Sequence, residues 1–223
     1  ISRVAGLSRR NARAKHRRFL VEGPQGVREA VRHAPGRVLD VYLTEAALER
    51  HSEIWDEAVA AGLYVHVTTQ QVMDTMSPDA QGLLAVLATE EATGSEALAA
   101  ALEEARLVAV LTQAQDPGNA GTIIRAADAA GADAVVLVRG SVDPTAPKVV
   151  RSTAGSLFHL PVVTGVALDD AVTALHDAGL TVLAADGRGD FDLFEAESLL
   201  EAPSAWLLGN EAHGLPPEAL SRA

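Results

Sequence analysis

The segment DPGNAGTIIRAADAAGA, residues 116–132, carries polar side chains at a spacing that suits contact with a sugar or phosphate oxygen. Asn119 stands at the start of a predicted helix over 119–130, where its side chain can cap the first turn. Gly121 and Arg125 lie four residues apart and therefore share one helical face. A guanidinium on that face can donate hydrogen bonds to an oxyanion. Asparagine caps and helical arginines are also common structural features, so this segment alone leaves both roles open.

A second segment, PKVVRSTAGSLFHLP, places cationic and hydroxyl side chains around a glycine. The residues concerned are Lys148, Arg151, Ser152, Thr153, Gly155 and Ser156. Small hydroxyl residues beside glycine at a helix end suit contacts with phosphate or ribose. They suit close packing of a helix equally well.

A third segment, GNEAHGLPPE, ends an apolar strand predicted over 204–209. Gly209 and Gly214 bracket Asn210 and Glu211. A turn of this kind can present backbone N–H and C=O groups to the edge of a planar ligand, although it is by itself a common turn.

These three segments require a scaffold that brings them to one place. Short apolar stretches alternate with amphipathic ones, and strands are predicted at 38–44, 64–69, 82–89, 107–112, 134–138, 180–185 and 204–209. Strands that are buried on both faces and alternate with helices indicate a parallel sheet flanked by helices, which is an α/β fold. Ligands bind beyond the carboxyl ends of such strands. We therefore expect the site in the loops after Thr112, Val138, Ala185 and Gly209.

The composition is that of a globular protein, with 48% hydrophobic and 22% charged residues in a chain of 223. No run of 18 apolar residues is present, which excludes a membrane-spanning helix. The basic N-terminus has no apolar stretch behind it and does not resemble a secretory signal. Cysteine is absent, which excludes disulfides and thiolate sites and fits a reducing compartment. We predict a cytoplasmic protein.

Charge is distributed unevenly along the chain. Residues 1–37 contain ten basic and two acidic side chains, although the whole chain has a net charge of -12. A basic segment on an acidic body indicates a nucleic-acid partner; a solvated arginine-rich helix is the alternative. We call its densest part the N-terminal basic cluster, which consists of Arg9, Arg10, Arg13, Lys15, Arg17 and Arg18.

Several catalytic signatures are missing from the sequence. It has neither a GxxxxGK[ST] phosphate loop nor a GxGxxG dinucleotide fingerprint. The seven histidines show no HExxH or paired-histidine spacing, so we predict no metal. No GxSxG context supports a serine hydrolase.

Taken in order, the three segments resemble the three sequence motifs of the SpoU (TrmH-type) RNA 2′-O-ribose methyltransferases, a family of the SPOUT superfamily. The first motif is matched by Asn119, Gly121 and Arg125, the second by Lys148 to Gly155, and the third begins at Gly209. The stretch VEGPQGVREA resembles the ribosomal-protein-L30e-like domain that precedes the catalytic domain in many members. The resemblance implies a substrate-binding domain over 1–89, a linker over 90–96 and a catalytic domain over 97–223.

The resemblance also implies a fold, a donor and a partner. The catalytic sheet would carry a C-terminal trefoil knot, and the protein would be a homodimer with its active site near the interface. The methyl donor would be S-adenosylmethionine, and the acceptor a ribose 2′-hydroxyl in RNA, with ribosomal RNA favoured over transfer RNA. Donor-binding residues would be Ala184, Asp186, Gly187, Gly209, Asn210, Gly214 and Leu215. RNA contacts would come from the N-terminal basic cluster together with Lys148, Arg151 and Thr153.

The resemblance also implies that Arg125, Asn119 and Glu211 are the catalytic residues. The family is thought to activate the 2′-hydroxyl through the residue matched by Arg125. The pKa of a guanidinium lies far above neutral pH, so the group is a poor base. We therefore expect Arg125 to stabilise the developing alkoxide and hold the adjacent phosphate. Asn119 and Glu211 would orient Arg125 or the ribose.

Two other hypotheses stay open. Family members continue into an S-L-N-V-S-x-A helix, whereas this sequence ends at Ala223, and we expect that C-terminal segment to be missing from it. A non-catalytic RNA-binding protein of the same fold, which has lost donor binding, is therefore the first alternative. The second is a generic nucleotide-binding α/β enzyme in which Asp186 or Asp190 contacts a ribose.

Overall fold

The computed structural model describes residues 1–90, 93–189, 192, 200–210 and 214–223. The chain forms two compact units. The first contains Ile1–Glu90 and Asp143–His159, and the second contains Glu91–Val142 and Leu160–Ala223. The association of 143–159 with the first unit was not expected from the sequence, and the boundaries at 89 and 97 stay predictions.

The first unit is built on a four-stranded mixed sheet in the order β1-β4-β2-β3. Its strands are β1 (Arg18–Glu22), β2 (Val38–Thr44), β3 (Val65–Thr68) and β4 (Leu83–Ala88). Strand β4 is antiparallel to both β1 and β2, whereas β2 and β3 are parallel. The side chains of β4 are buried from Leu83 to Leu87, which explains why this strand is apolar on both faces.

Short helices surround this sheet. They are α1 (Ser2–Gly6), α2 (Arg10–His16), α3 (Pro24–His33), α4 (Glu45–Arg50), α5 (Ser52–Ala60) and α6 (Gln70–Met76). Val27, Ala30 and Val31 form the buried apolar face of α3. Thr69 caps α6, because its hydroxyl accepts a hydrogen bond from the Val72 N–H at 3.3 Å.

The second unit contains a five-stranded, fully parallel sheet in the order β7-β6-β5-β9-β8. The strands are β5 (Leu107–Leu111), β6 (Ala134–Leu137), β7 (Val162–Thr164), β8 (Thr181–Ala185) and β9 (Ser204–Leu208). The helices, which include one from the segment grouped with the first unit, are α7 (Gly94–Leu102), α8 (Pro117–Ala129), α9 (Pro147–Ser152), α10 (Leu168–Asp177) and α11 (Pro217–Leu220). The predicted parallel sheet flanked by helices is confirmed.

The core of the second unit joins the sheet to its helices. Val108 and Val136 of the sheet are fully buried, and they share one hydrophobic cluster with Leu98 of α7 and Val172 of α10. Because all five strands are parallel, their carboxyl ends lie at one edge of the sheet, where ligands bind in open α/β folds. Within the described ranges, every helix is too short or too polar to cross a membrane.

The start of α8 differs from the prediction. Asp116, not Asn119, is the N-cap residue, because the Asp116 carboxylate accepts a hydrogen bond from the Asn119 backbone N–H at 2.9 Å. The helix therefore begins at Pro117, in the first position, where proline is well tolerated. The Asn119 side chain is exposed, so it is available for a role other than capping.

Arg13 is buried, in contrast to the rest of the N-terminal basic cluster. Its side chain is 6% exposed. Its guanidinium donates to Asp143 Oδ2 at 2.7 Å and to the carbonyl oxygens of Leu7 and Ser8 at 3.2 and 2.9 Å. A charge removed from water needs such compensation. We therefore replace the predicted RNA contact of Arg13 with a structural role.

Replacement of Arg13 by methionine should lower the free energy of unfolding by about 3 kcal/mol, because it leaves the half-buried Asp143 carboxylate without its charged partner. Burial raises the pKa of Asp143, but hydrogen bonds from Thr145 and Arg13 outweigh it and hold that pKa below its ordinary value. The contribution of the pair is thus complete above the unfolded pKa of about 3.9 and is lost as pH falls through the lower, folded pKa. Urea unfolding at pH 7 and pH 3 measures both effects. Equal stability of the two proteins at pH 7 would contradict the assigned role.

Candidate active site

A cavity of about 480 Å³ opens in the second unit at the carboxyl ends of β8 and β9. Its lining comes from three places in the sequence: the first turns of α8, the end of β8, and the end of β9 with the turn that follows. The lining residues are Asn119, Thr122, Ile123, Ala185, Leu208, Gly209, Asn210 and Gly214. The first and third sequence segments therefore meet at the sheet edge that the strand pattern indicated.

The wall of the cavity after β9 is a tight backbone turn. The Asn210 N–H donates to the Gly214 carbonyl at 3.1 Å, and the Gly214 N–H donates to the Asn210 carbonyl at 2.7 Å. A Cβ atom at Gly209 would lie 2.4 Å from the carbonyl carbon of Gly214, a distance that atoms in contact do not reach. Gly214 adopts φ +68°, in the left-handed region that glycine enters without a steric cost.

Helix α8 supplies the opposite part of the lining through one stripe. Asn119, Thr122 and Ile123 are spaced three and four residues apart and therefore lie on the same helical face. Arg125 is exposed one turn further along α8, on the flank of the helix next to Thr122 and not on the stripe itself, and it is not among the lining residues. The guanidinium is thus available at the surface of the helix that lines the cavity.

Two protein-family models match this chain, each over one part of it. The model of the SpoU rRNA Methylase family matches residues 106–223, and the model described as RNA 2′-O ribose methyltransferase substrate binding matches residues 20–93. The chain belongs to the SpoU family. Its relatives include the 23S rRNA (guanosine(2553)-2′-O)-methyltransferase RlmP of Bacillus subtilis. That protein is 33% identical over 97% of this chain and 81% of its own length.

Solved SpoU structures have the same fold. The methyltransferase AviRb from Streptomyces viridochromogenes, in complex with AdoMet, has a TM-score of 0.80 and 26% identity over 100% of this chain and 85% of its own. An AdoMet-bound rRNA methyltransferase from Sinorhizobium meliloti has a TM-score of 0.78 and 27% identity, with 100% and 82% coverage.

The loop after β8 is the third part of the site expected from the SpoU resemblance. Ala185 lines the cavity, whereas the predicted Ala184 and Gly187 are not among the lining residues. The Asp186 carboxylate accepts hydrogen bonds from the Arg188 backbone N–H at 2.9 Å and from its guanidinium at 3.1 Å. These bonds from Arg188 lower the pKa of Asp186. Asp186 Oδ2 would lie 3.9 Å from a Cβ at Gly214, so this carboxylate borders the turn.

Leu215 and Glu211 are two further residues that the SpoU resemblance assigned to the site. Leu215 is 3% exposed and belongs to the hydrophobic core of the second unit, where its side chain anchors the turn that contains Gly214. Its predicted contact with the donor has no support from this placement. Glu211 lies outside the described residues, as does Asp190, so their predicted roles stay predictions.

The second SpoU motif lies in the segment that groups with the first unit. Thr153 is fully buried and donates its hydroxyl to the Val150 carbonyl at 2.7 Å. Arg151 forms ion pairs with Glu22 and with Asp79, the latter at 3.0 Å. Thr153 therefore packs within this unit, which does not support its predicted RNA contact, whereas Arg151 is exposed beside its ion-pair partners and its RNA contact stays a prediction. Lys148 is exposed and keeps its predicted role.

The remaining N-terminal basic cluster forms a cationic surface on the first unit. Arg9, Arg10, Lys15, Arg17 and Arg18 are all exposed. Three of them belong to or directly follow helix α2, and Arg17 ends that helix in the left-handed conformation with φ 51°. Lys15 and Arg17 lie at the C-terminus of α2, where cations are favourable with respect to the helix dipole.

Proposed function

We propose that this protein transfers a methyl group from S-adenosylmethionine to a ribose 2′-hydroxyl in ribosomal RNA. One observation carries the proposal: the first and third SpoU motifs contribute Asn119, Gly209, Asn210 and Gly214 to a single cavity. Family membership supports the reaction class. Two of the similar proteins act on 23S rRNA by name, from Bacillus subtilis and Streptomyces viridochromogenes, and the latter is 33% identical over 94% of this chain.

The cavity fits a donor of this kind in size and chemistry. Its volume of about 480 Å³ is within the range of small-molecule sites, about 300–1,000 Å³. Backbone groups of Gly209 can contact the edge of a purine, while Ile123 and Leu208 provide apolar contact. When bound, S-adenosylmethionine supplies a methyl group on a positively charged sulfur, so the acceptor needs activation more than the donor does.

Arg125 is suited to that activation. Its guanidinium is a cation that donates hydrogen bonds in a planar fork. The 2′-hydroxyl loses its proton to water as its oxygen accepts the methyl group, and a fixed cation beside the negative charge that develops there lowers the barrier. Asn119, on the same helix, orients the ribose. Glu211 would complete this set.

The first unit provides the RNA-binding surface in this proposal. The residues that remain assigned to RNA are Arg9, Arg10, Lys15, Arg17, Arg18, Lys148 and Arg151. The family model for substrate binding matches 20–93, and the basic residues directly precede or begin that range. Exposed cations without an aromatic platform bind phosphates through release of counterions and not through base stacking.

Replacement of Arg9, Arg10, Lys15, Arg17 and Arg18 by glutamine should weaken RNA binding to a similar extent for all sequences. Each phosphate contact that is lost reduces the slope of log affinity against log salt by about 0.7–0.9. Fluorescence anisotropy with two unrelated RNA fragments at several salt concentrations measures both quantities. Substitution of Glu45, Glu49 and Glu53 by glutamine, which removes three charges of the opposite sign in the same unit, is the control. Unchanged affinity and salt slope in the five-residue glutamine variant would mean that the cluster does not contact RNA.

Three further features belong to this proposal by resemblance to the family. They are a trefoil knot in the second unit, a homodimer with the active site near its interface, and a cytoplasmic location. The position of β9 between β5 and β8 is compatible with a chain that returns through the sheet late in the sequence.

Incubation of the protein with radiolabelled S-adenosylmethionine and unmodified ribosomal or transfer RNA tests the function. We expect alkali-resistant label in 23S rRNA, because a 2′-O-methyl group blocks cleavage of the adjacent phosphodiester. Absence of donor binding would favour the non-catalytic alternative, and donor binding without label in either RNA would overturn the proposed acceptor. Label in transfer RNA alone would overturn the preference for ribosomal RNA.

A further inference from the structure

Outside the candidate active site, a group of side chains in the first unit has the composition of a metal site. Glu29 and His33 lie one turn apart on α3, and His159 follows the short 3-10 segment Ser156–Phe158. Their donor atoms all lie within 4.8 Å of one another. Both imidazole Nε2 atoms face the same carboxylate oxygen: His159 Nε2 is 3.0 Å and His33 Nε2 is 3.3 Å from Glu29 Oε2.

These separations match donors around one small ion. Zinc bonds of about 2.0–2.1 Å in a tetrahedron place neighbouring donors roughly 3.3 Å apart. The two imidazole rings are 4.5 Å apart between centroids and inclined by 63°, so both nitrogen atoms point inward without the rings overlapping. A single ion can therefore be reached by all three side chains with small adjustments.

The carboxylate is held in place from outside the group. Gln25 Nε2 donates to Glu29 Oε1 at 3.2 Å, which leaves Oε2 directed at the imidazoles. The backbone at Gly155 presses against the other side, since a Cβ there would lie 2.3 Å from Glu29 Cγ. The Glu29 side chain is 14% exposed. Outer contacts that fix a ligand in this way are typical of metal sites.

The negative charge of the Glu29 carboxylate is a second reason to expect a bound cation here. In the described part of the chain, the groups within 4 Å of its carboxylate that can carry positive charge are His33 and His159. A carboxylate that is only 14% exposed is stabilised by a neighbouring positive charge. A divalent ion coordinated by all three groups would supply that charge.

We propose that Glu29, His33 and His159 bind a Zn²⁺ ion, with a fourth position open to water. Two imidazoles and one carboxylate suit zinc, whereas Mg²⁺ and Ca²⁺ prefer oxygen donors throughout. The ion ties α3 to residues 156–159 and so holds the second SpoU motif on the first unit. This site replaces our sequence-based prediction of no metal. That prediction relied on local motifs, and these ligands are drawn from two distant segments.

Titration of the untagged, metal-free full-length chain with zinc chloride, followed by calorimetry, tests the site. We expect one ion per chain in the wild type and a higher melting temperature with zinc than with EDTA, because a ligand that binds only the folded state stabilises it. His33→Gln and His159→Gln should each weaken zinc binding at least about tenfold, since loss of even an outer-shell partner costs that much. Magnesium chloride should neither bind at these concentrations nor raise the melting temperature.

His66→Gln is the matched control. His66 lies 2.9 Å from Asp40 in the same unit, a histidine–carboxylate pair that is outside the three-ligand group, and its loss should leave zinc binding unchanged. If a histidine variant fails to fold, Glu29→Gln keeps the shape of the side chain and is expected to weaken binding equally. A wild type without stoichiometric zinc, or His33→Gln and His159→Gln with wild-type affinity, would overturn the proposal.

Discussion

An Arg125→Ala variant should methylate RNA about 10² to 10³ times more slowly than the wild type and still bind S-adenosylmethionine with near wild-type affinity. Removal of a single donor that stabilises a developing oxyanion has a cost of that order. Arg125 is exposed on α8 and is not among the cavity-lining residues, which explains why donor affinity is spared. Single-turnover rates with saturating RNA, together with calorimetry for the donor, measure the two effects separately.

The Arg125→Lys variant sharpens this test. Lysine keeps the charge but loses the planar fork of donors, so we expect a rate between those of the wild type and the alanine variant. Arg106→Ala is the control for the loss of one exposed arginine, because Arg106 precedes β5 at the opposite end of the sheet from the cavity. If the alanine variant reacts at nearly the wild-type rate, Arg125 has no part in catalysis.

The fold was largely predictable because its signals are local. Apolar strands that alternate with amphipathic helices identified the α/β sheet, and the strand at 38–44 has the predicted bounds. Residues 45–61 have the composition of one amphipathic helix but divide into α4 and α5, because His51 leaves the helical region with φ -136° and ψ 45°. The composition of this stretch does not mark a break, and the two helices are set apart by packing.

The candidate site was predictable where residue type is distinctive, and not elsewhere. Asn119, Gly209 and Gly214 stand out by type and spacing, whereas Ala185 lines the cavity only because it ends β8. Thr122 and Ile123 could have been found from their spacing of three and four residues from Asn119. This helical spacing is visible in the sequence without any structure.

Burial of charged and polar side chains was the least predictable feature. Arg13 belongs to a run of exposed cations, and its structural role depends on Asp143, which is 130 residues away in the sequence. Likewise, the hydroxyl of Thr153 is buried by segments distant in the chain. The cluster of Glu29, His33 and His159 is hidden from local motifs for the same reason.

Replacement of Gly209 by alanine should weaken donor binding by about two orders of magnitude. The new Cβ would lie 2.4 Å from the carbonyl carbon and 2.5 Å from the oxygen of Gly214, and 2.6 Å from the Leu215 nitrogen. All three are backbone atoms, which cannot rotate away as a flexible side chain would. The turn must therefore open, at the expense of the two hydrogen bonds between Asn210 and Gly214. Two such bonds at about 1–1.5 kcal/mol each correspond to about 30- to 150-fold in affinity.

Calorimetric titration with S-adenosylmethionine measures this effect, and Gly36→Ala is its control. Gly36 has no atom within 4 Å of an added Cβ and no left-handed φ, so its substitution should leave the donor affinity unchanged. A lower melting temperature of the Gly209→Ala variant is also expected, because Leu215 is anchored in the core directly after the turn. Wild-type donor affinity in a folded Gly209→Ala protein would mean that the donor binds away from this turn. The reaction would then need a cavity other than the one in which the first and third motifs meet.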